Sequence, residues 1–473
     1  MTAQTILPAN TLSSGYDVAN SARFDQPDGA DTLRLAAAGN DGDQKHWTVS
    51  MWIKRSKLAT LQHVWSWSRN STNAEGGFAF DTNDQIFFIS DGQNGSTNEI
   101  DGVFKDPSAW FHLVWACDAD NGTNALRWRV YINGVERAIT GDPTIQDANG
   151  IVNRGSSQEH WIGGRARSLN SNVSDASYFS GYLAEVVFID DSTLGPTSFG
   201  EFDDDTGIWK PIDVSDLTFG AKGYYLDFEN AAELGTDVSG SSNTFTESNI
   251  SDVHQTTDTC TNNFATMNPL NVPVANAPVF SNGNLNLDSA ANANKFHGSS
   301  TIGVSKGKWY MEFKPKSGDY SFLGITGDPA EDARNEVNPG HSATGYGYYQ
   351  ANGNVSNNDS SSSYGNSYNS SGDIIGVALN IDDNELKFYK NGTVQNSDTA
   401  ISITAVASTP AGAYFFAMGD AAADSSSKAI ANFGNPDYAN SSSASDGNGY
   451  GDFEHAPPSG FYSLCTKNLA QFG

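Results

Sequence analysis

The chain has 473 residues, which is long enough for two or three domains that each bury a core of their own. Its 26 lysines and arginines and its 55 acidic residues give a formal charge of −29 at pH 7, which repels nucleic-acid phosphates and anionic membranes. No stretch approaches the ~20 apolar residues of a membrane helix, and the start of the chain lacks a basic and an apolar region. We expect a soluble protein without a secretory signal, a nucleic-acid partner or membrane insertion.

Turn-forming residue pairs predict the fold class. The chain has 47 glycines, and Asn-Gly or Asp-Gly pairs recur along its length. Two-residue hairpins favour these pairs because a type I′ turn needs a positive φ at both central residues. Charged residues make up 17% of the chain, against ~25% in an average protein, which argues against helical bundles. The sequence therefore predicts antiparallel β-structure throughout.

Alternation of apolar and polar residues predicts individual strands in the first half. The pattern is clear at 47–54, 111–117 and 126–132, where every second residue is apolar. Residues 182–189 are apolar on both faces except for Glu185, as expected of a central strand that is covered on both sides. These segments predict half-buried and fully buried strands of a sandwich.

A polar segment separates the two halves of the chain. From about 234 to 294 the sequence is rich in Ser, Thr, Asn and Asp and loses its periodicity, and strand patterns resume at 309–314 and again at 374–381. We predict two sandwich domains. The predicted bounds are an N-terminal arm at 1–15, a first sandwich at 16–235, a linker at 236–276 and a second sandwich with a C-terminal extension at 277–473.

Several motifs resemble known families. In the first half WTVSMWIKRSKL, WFHLVWACDADNG, WIGG and YFSGYLAEVVFID resemble, in this order, a laminin-G-like (concanavalin A-like) domain. In the second half GKWYMEFKP, FLGITGD and GDIIGVALNIDDNELKFYKNG resemble a SPRY domain. The connecting segment, which begins GYYLDFENAAELGTDVSG, is similar to that of tail-fibre and other virion proteins of marine bacteriophages, where the two modules occur together. The resemblance implies an all-β chain of two concanavalin A-like/jelly-roll antiparallel β-sandwich domains joined by an irregular linker.

The resemblance also implies a function. It predicts a phage virion protein on the tail or particle surface, synthesised in the host cytoplasm, that acts as a tail fibre or receptor-binding protein without catalysis. The expected partners are other virion proteins, further copies of the chain in a homo-oligomer (a trimer being favoured), and a host cell-surface glycan or outer-membrane protein. One alternative is a head-fibre, decoration or tail-connector subunit with no receptor, and a second is a polysaccharide depolymerase.

The segment 344–372 has the composition of a recognition surface. Tyr, Ser, Asn and Gly make up 24 of its 29 residues, a mix in which Tyr gives rigid contact area and the others give adaptable hydrogen bonds. The alternative is that the tyrosines are ordinary strand or SPRY-pattern residues and that 352–363 is a solvated loop. The candidate ligand-binding residues are Tyr346, Tyr348, Tyr349, Asn352, Asn354, Asn357, Tyr364 and Tyr368.

One acidic loop offers metal ligands. Asp118, Asp120 and Asn121 present the hard oxygen atoms that Ca²⁺ prefers, and laminin-G-like domains often hold calcium at edge loops. Aspartate and asparagine are also ordinary turn residues. Calcium is the single cofactor that we consider. The cysteines at 117, 260 and 465 are odd in number and far apart, which fits neither a disulfide framework nor a metal motif and favours a reducing place of synthesis.

No catalytic motif stands out. Glu201, Asp203 and Asp205 imitate the alternating carboxylates of some glycosidases, but Asp204 interrupts the pattern and Thr206-Gly207 turns the chain, so a solvated acidic turn is favoured. None of the eight histidines forms a metal-binding pair. Strand alternation places His112 opposite the apolar face, which predicts a surface position. We expect no enzyme activity.

Overall fold

The computed structural model describes residues 15–25, 31–36, 45–69, 75–89, 98–140, 158–168, 171–172, 177–273, 277–288, 296–318, 320–335, 337–369, 372–420 and 428–473. The chain divides into two compact units between Thr261 and Asn262. We call the described residues up to Thr261 the N-terminal module and those from Asn262 the C-terminal module.

The regular secondary structure described in the N-terminal module consists of strands and short 3₁₀ turns. Short 3₁₀ turns occupy Asn124–Leu126, Pro196–Ser198 and Asp252–His254. The strands are β1 (Ser21–Phe24), β2 (Thr32–Leu35), β3 (His46–Arg55), β4 (Gln62–Arg69), β5 (Glu75–Phe80), β6 (Ile86–Ile89), β7 (Glu99–Ile100), β8 (Trp110–Asp118), β9 (Trp128–Ile132), β10 (Val135–Arg137), β11 (Ile139–Thr140), β12 (Gln158–Ile162), β13 (Ala166–Ser168), β14 (Ser171–Asn172), β15 (Gly181–Asp190), β16 (Gly200–Phe202), β17 (Trp209–Pro211), β18 (Tyr224–Leu226), β19 (Thr246–Ser248) and β20 (Gln255–Thr256).

Two large sheets form this module. Among the described residues, sheet A has the order β10-β9-β8-β3-β15-β1-β20, with β18 also paired to β15. Sheet B has the order β11-β7-β6-β5-β4-β12-β2-β19. The predicted Asn133-Gly134 turn joins β9 to β10, with φ of 48° and 76°. The predicted alternation of β3 is confirmed, since Trp47, Val49, Met51 and Ile53 all lie in the core.

The central strands β3 and β15 of sheet A are buried on both faces. The inner face packs around Trp47 and Trp115, whose rings meet edge to face with centroids 4.9 Å apart. On the outer face, residues after β15 add a second apolar layer that contains Phe199 and Phe219. The prediction that β15 is covered on both sides is confirmed, because all ten of its residues are buried. Leu126, in contrast, lies in a 3₁₀ turn and is 46% exposed, so the strand predicted at 126–132 begins later.

The segment predicted as a linker is mostly irregular, but part of it packs into the N-terminal module. Strand β19 pairs with β2, and β20 pairs with β1. Phe245 and Ile250 belong to the core between the sheets. Their isolated apolar side chains give no periodic pattern, which is why the sequence did not predict strands here.

The C-terminal module is a second sandwich. Its helices are α1 (Pro329–Arg334) and α2 (Thr466–Phe472), and 3₁₀ turns occupy Asn396–Asp398 and Val406–Ser408. Its strands are β21 (Val279–Ser281), β22 (Asn286–Asp288), β23 (His297–Ser299), β24 (Lys308–Ser317), β25 (Ser321–Thr326), β26 (Gly345–Tyr349), β27 (Asn354–Asn357), β28 (Ser360–Ser363), β29 (Ile375–Asn380), β30 (Glu385–Lys390), β31 (Thr393–Val394), β32 (Ile401–Ser402), β33 (Phe415–Asp420), β34 (Lys428–Asn432) and β35 (Tyr462–Ser463).

Two sheets enclose the core of this module. Among the described residues, sheet C has the order β21-β22-β34-β24-β29-β30-β31, with β32 paired to β30 and β35 paired in parallel to β24. Sheet D has the order β23-β33-β25-β26-β27-β28. The predicted face of Trp309, Met311 and Phe313 is confirmed, since all three are fully buried in the core. Both modules are thus antiparallel β-sandwiches, and the predicted all-β fold class is confirmed.

Candidate binding site

Four of the five tyrosines predicted to contact a ligand are core residues of the C-terminal module. Tyr346, Tyr348, Tyr364 and Tyr368 are at most 8% exposed and belong to its main apolar cluster. The hydroxyl of Tyr368, for example, donates to the carbonyls of Tyr348 and Ser321 at 2.8 and 3.2 Å. Because these rings fill the interior and their hydroxyls hold the framework, we correct the prediction and remove the four from the candidate site.

Asn357 also holds the framework. It is half-buried, and its side-chain amide lies 2.8, 3.1 and 3.4 Å from the carbonyl oxygens of Gly345, Ala343 and Ser342. These contacts tie β27 to the residues that enter β26. The side-chain amide of Asn357 therefore donates to backbone carbonyls, and we assign Asn357 a structural role as well.

Tyr349, Asn352 and Asn354 remain at the surface of the predicted segment. Since Tyr348 points into the core, alternation directs Tyr349 to the outer face of sheet D. Its ring stacks on that of Phe322 in the neighbouring strand β25, with centroids 4.4 Å apart and planes 16° apart. Strands β26 and β27 pair Tyr348 with Val355, which places Asn354 opposite Tyr349.

The same line continues across the sheet towards β28, and Tyr320 lies next to Phe322 along its own chain. Asn354 pairs with Ser363 of β28, which is exposed at the sheet edge. Tyr320 is 37% exposed and lies two residues before Phe322, on the same side by alternation. We call Tyr320, Phe322, Tyr349, Asn354 and Ser363 the outer row. Tyr320, Phe322 and Ser363 were not among the predicted ligand-binding residues, although Phe322 alternates with the core residues Leu323 and Ile325.

Glycines lie beside the outer row and bring a loop close to the sheet. A Cβ atom at Gly419 would lie 2.7 Å from the Cα of Asn338, and one at Gly347 would lie 3.2 Å from the amide nitrogen of Gly340. Only residues without a side chain allow the loop backbone to approach this closely. The loop after α1 therefore packs onto the middle of sheet D, next to the outer row.

The carboxylates of the predicted calcium loop have partners within the protein. Lys45 Nζ donates to Asp120 Oδ1 at 2.5 Å, and His46 Nε2 lies 3.4 Å from Asp118 Oδ1. The Asn121 side-chain amide donates to Asp118 Oδ2 at 3.3 Å. Within the described ranges, no group of three or more His, Cys, Asp or Glu side chains is arranged to hold a metal. The geometry of this loop therefore favours internal ion pairing.

The carboxylates at 201–205 belong to a hairpin turn. Strands β16 and β17 pair Glu201 with Lys210, whose ammonium lies 3.3 Å from Glu201 and 3.1 Å from Asp203. Asp203 Oδ1 accepts hydrogen bonds from the Thr206 amide and hydroxyl, both at 2.9 Å. The bonds from Thr206 and Lys210 lower the pKa of Asp203 to about 2. A general acid needs a raised pKa, so this arrangement agrees with the predicted turn.

His112 is buried, contrary to the prediction of a surface position. Its ring stacks on Trp52 at 4.8 Å and on Trp209 at 6.0 Å. Trp209 Nε1 donates to Nδ1 at 3.1 Å, so the neutral ring carries its proton on Nε2, 2.8 Å from the hydroxyl of Ser50. Burial lowers the pKa of His112 to about 3. The covering residue Trp209 comes about a hundred positions later, which strand alternation cannot reveal.

Two buried carboxyl groups have strongly raised pKa values. Burial raises the pKa of Glu185 to about 8, and this residue sits at a bulge with φ 49°, where Tyr225 OH donates to it at 2.7 Å. Burial raises the pKa of Glu312 to about 7. Glu312 accepts from the amides of Glu454 and His455 at 2.9 and 2.8 Å, which fastens the C-terminal extension to sheet C. The partners of both groups are hydroxyl and amide donors of the framework.

The fold and these sites define a two-module β-sandwich protein with a polar-aromatic surface on sheet D. Residues 27–195 match the family model of the concanavalin A-like lectin/glucanases superfamily. Residues 308–421 match that of the SPRY domain. The predicted succession of the two modules is confirmed. Domains of these two kinds are typically binding modules.

Solved structures resemble parts of the chain at low identity. The SPRY domain of human HERC1 is 16% identical, with a TM-score of 0.25, over 31% of this chain and 87% of that one. A native heptameric SAP-like pentraxin from Limulus polyphemus is 14% identical, with a TM-score of 0.30, over 38% and 80%. None of the curated proteins matches the chain. In the part of the chain that the structure describes, no helix has the length and apolar character needed to span a bilayer.

Proposed function

We propose that the chain is a non-catalytic component of a bacteriophage particle, namely a tail fibre or other receptor-binding protein. The observation that carries the proposal is the succession of the two modules, with the concanavalin A-like match at 27–195 and the SPRY match at 308–421. Each fold alone is widely reused and says little about function. The connector between them, which resembles that of marine phage virion proteins, makes the combination specific.

Adhesion requires contact surfaces and several copies, and it requires no chemistry. The carboxylates at 201–205 are engaged in a turn with a shared lysine, which removes the main sequence argument for a depolymerase. Several weak sites held in one assembly gain ~10²- to 10⁴-fold in avidity through effective concentration. We therefore propose a homo-oligomer, with a trimer favoured, whose ligand is a host surface glycan or an outer-membrane protein.

Phage particles that lack this chain test the proposal. We expect intact particles that contain DNA but fail to adsorb to host cells. Fragile or unassembled particles would instead support the alternative of a head-fibre, decoration or connector subunit. Release of reducing sugar from host polysaccharide by the purified protein would support the depolymerase.

The predicted N-terminal arm at 1–15 lies outside the described residues except for Gly15. We propose that this arm docks the chain onto another virion protein. Deleting it is expected to abolish incorporation into particles while both sandwiches stay folded. Normal incorporation of the truncated chain would refute the docking role.

A further inference from the structure

We infer that the side chains of Lys54 and Asp258 become joined by an amide bond, which the folded N-terminal module forms by itself. Lys54 lies in strand β3, and Asp258 follows strand β20, 204 residues later in the chain. This cross-link is a modification site that needs no ligand and no partner, so it does not depend on the proposed function. The argument uses the contact between the two groups, the polarisation of the carboxylate and the burial of both side chains.

The two reacting groups are held in contact. Nζ of Lys54 lies 2.6 Å from Oδ2 of Asp258. With ordinary carboxylate geometry, an amine at this distance from the oxygen lies about 3–3.5 Å from the carboxyl carbon, which is the range of a near-attack conformer. The backbone of Asp258 is fixed, because its amide donates to Thr256 Oγ1 at 2.9 Å and its carbonyl accepts from Ser21 Oγ at 2.6 Å. The amine therefore cannot easily drift away from its target.

The second carboxylate oxygen has a donor that suits the reaction. Trp110 Nε1 donates to Oδ1 of Asp258 at 3.0 Å. When an amine attacks a carboxyl carbon, negative charge develops on oxygen, and a fixed N–H group stabilises that charge. Trp110 in β8 and Tyr182 in β15 are the direct neighbours of Lys54 in sheet A, and Lys54 Nζ lies 5.3 Å from the centre of the Tyr182 ring. The nucleophile and the donor thus come from paired positions of one sheet.

Burial favours the reactive form of the lysine. The side chains of Lys54 and Asp258 are 0% and 2% exposed. Burial lowers the pKa of Lys54, while the carboxylates of Asp258 and Asp106 act in the opposite direction. The uncharged amine, which is the form that can attack, is therefore more accessible here than in water. Burying two charges is also costly, and formation of a neutral amide removes both of them.

The reaction needs no co-reactant. A proton first passes from the Lys54 ammonium to Oδ2, which leaves a neutral amine and a carboxylic acid. The nitrogen lone pair then forms a bond to the carboxyl carbon of Asp258, and the negative charge forms on Oδ1 beside Trp110. Nζ gives a second proton to Oδ2, the bond between the carbon and Oδ2 breaks, and one water molecule leaves. One C–N bond replaces one C–O bond, and nothing is oxidised or reduced.

Two other ion pairs of the same module show which features matter. Arg55 Nη1 lies 2.9 Å from Asp84 Oδ1, and both side chains are buried. A guanidinium is not deprotonated in proteins, so this pair has no nucleophile. Lys45 Nζ lies 2.5 Å from Asp120 Oδ1, but these side chains are 47% and 53% exposed, so water solvates both charges. Of these three pairs, the pair at Lys54 alone combines an amine with burial.

The intact mass of the full-length protein, measured under denaturing conditions, tests the inference. We expect a mass one water molecule below that of the sequence, and a proteolytic digest with a branched peptide that joins Lys54 to Asp258. Lys54→Arg keeps the cation but removes the nucleophile, so its mass is expected to equal that of its sequence. Asp258→Asn is expected to lose one ammonia instead of one water. Trp110→Phe is expected to slow the joining by about 10²-fold, seen as a smaller joined fraction in protein sampled soon after synthesis.

The control is Lys45→Arg, which changes the exposed pair and is expected to keep the deficit of one water. A native protein with the full mass of its sequence would overturn the inference. A deficit that persists in Lys54→Arg, or one that a digest assigns to other residues, would overturn it as well. If Lys54→Arg does not fold, the mass and the branched peptide of the native protein still decide the question.

Discussion

The two modules share a fold class but differ in the side chains on the outer face of one sheet. In the N-terminal module, the outer face of sheet A carries large rings that are almost completely buried, with Trp52, His112 and Tyr131 at most 7% exposed. In the C-terminal module, the outer face of sheet D carries glycines, and a loop approaches it backbone to backbone. The outer face of sheet A is therefore a second core, whereas the outer face of sheet D carries the half-buried Tyr349 beside that loop.

The two halves of the chain also differ in net charge. Residues 1–261 contain 36 acidic and 16 basic residues, and residues 262–473 contain 19 and 10. Most of the net negative charge therefore belongs to the N-terminal half. The comparison shows that large side chains make the outer face of sheet A a second core, whereas glycines on the outer face of sheet D let a loop backbone approach it closely. Four substitutions test this view, from the largest expected effect to the smallest.

Trp209→Ala tests whether the outer face of sheet A is a true core. Trp209 is 6% exposed, packs on Gly134 and donates to His112. Its removal leaves a cavity and an unpaired ring nitrogen, so we expect a loss of about 3–5 kcal/mol in the free energy of unfolding. Urea unfolding followed by circular dichroism measures this loss. The control Phe202→Ala truncates a 50% exposed ring of the same hairpin, and equal losses in both variants would contradict the view.

Gly419→Ala tests the close approach over sheet D. The added methyl would lie 2.7 Å from the backbone of Asn338, so we expect a loss of about 1–3 kcal/mol from overpacking. The same unfolding measurement applies. At Gly447 the nearest atom is a flexible ring carbon at 3.7 Å, so Gly447→Ala is expected to change stability by no more than about 0.5 kcal/mol. If Gly419→Ala leaves the free energy of unfolding unchanged, the packing of the loop on sheet D does not depend on the glycine.

Glu185→Gln tests the buried acid of the N-terminal module. The folded pKa of about 8 lies above the ordinary value of 4.5, so the folded state holds the proton more tightly. The stabilisation that the buried, protonated Glu185 provides is complete below about pH 4.5 and is lost as pH rises through about 8. Over this range the free energy of unfolding falls by at most about 1.4 kcal/mol per pH unit. Glu185→Gln is expected to flatten this decline. Glu312→Gln is expected to flatten the decline only up to about pH 7. An unchanged pH dependence of the unfolding free energy in both variants would contradict the role of these buried acids.

Tyr368→Phe tests the assignment of the buried tyrosines to the framework. It removes a hydroxyl that donates to two backbone carbonyls, so we expect a loss of about 1 kcal/mol in unfolding free energy. Glycan binding is expected to stay unchanged. A loss of glycan binding in Tyr368→Phe with normal stability would return that residue to the binding site.

Much of the fold followed from local sequence patterns. Strand β3 alternates with period two, and Asn-Gly pairs marked turns such as the one at Asn133, because both signals depend only on neighbouring residues. The side chains that need distant partners were predicted less well. Period-two alternation puts Tyr346 and Tyr348 on one face correctly, but it does not say whether that face is inside or outside. Their burial depends on Phe388 and other residues that come later in the chain.

The central claim is that the chain binds a host surface polymer without cleaving it. The most direct measurement incubates the purified full-length protein with host polysaccharide and records bound protein and free reducing ends in the same samples over time. The account predicts saturable binding with no increase in reducing ends. A rise in reducing ends that scales with protein concentration would contradict it.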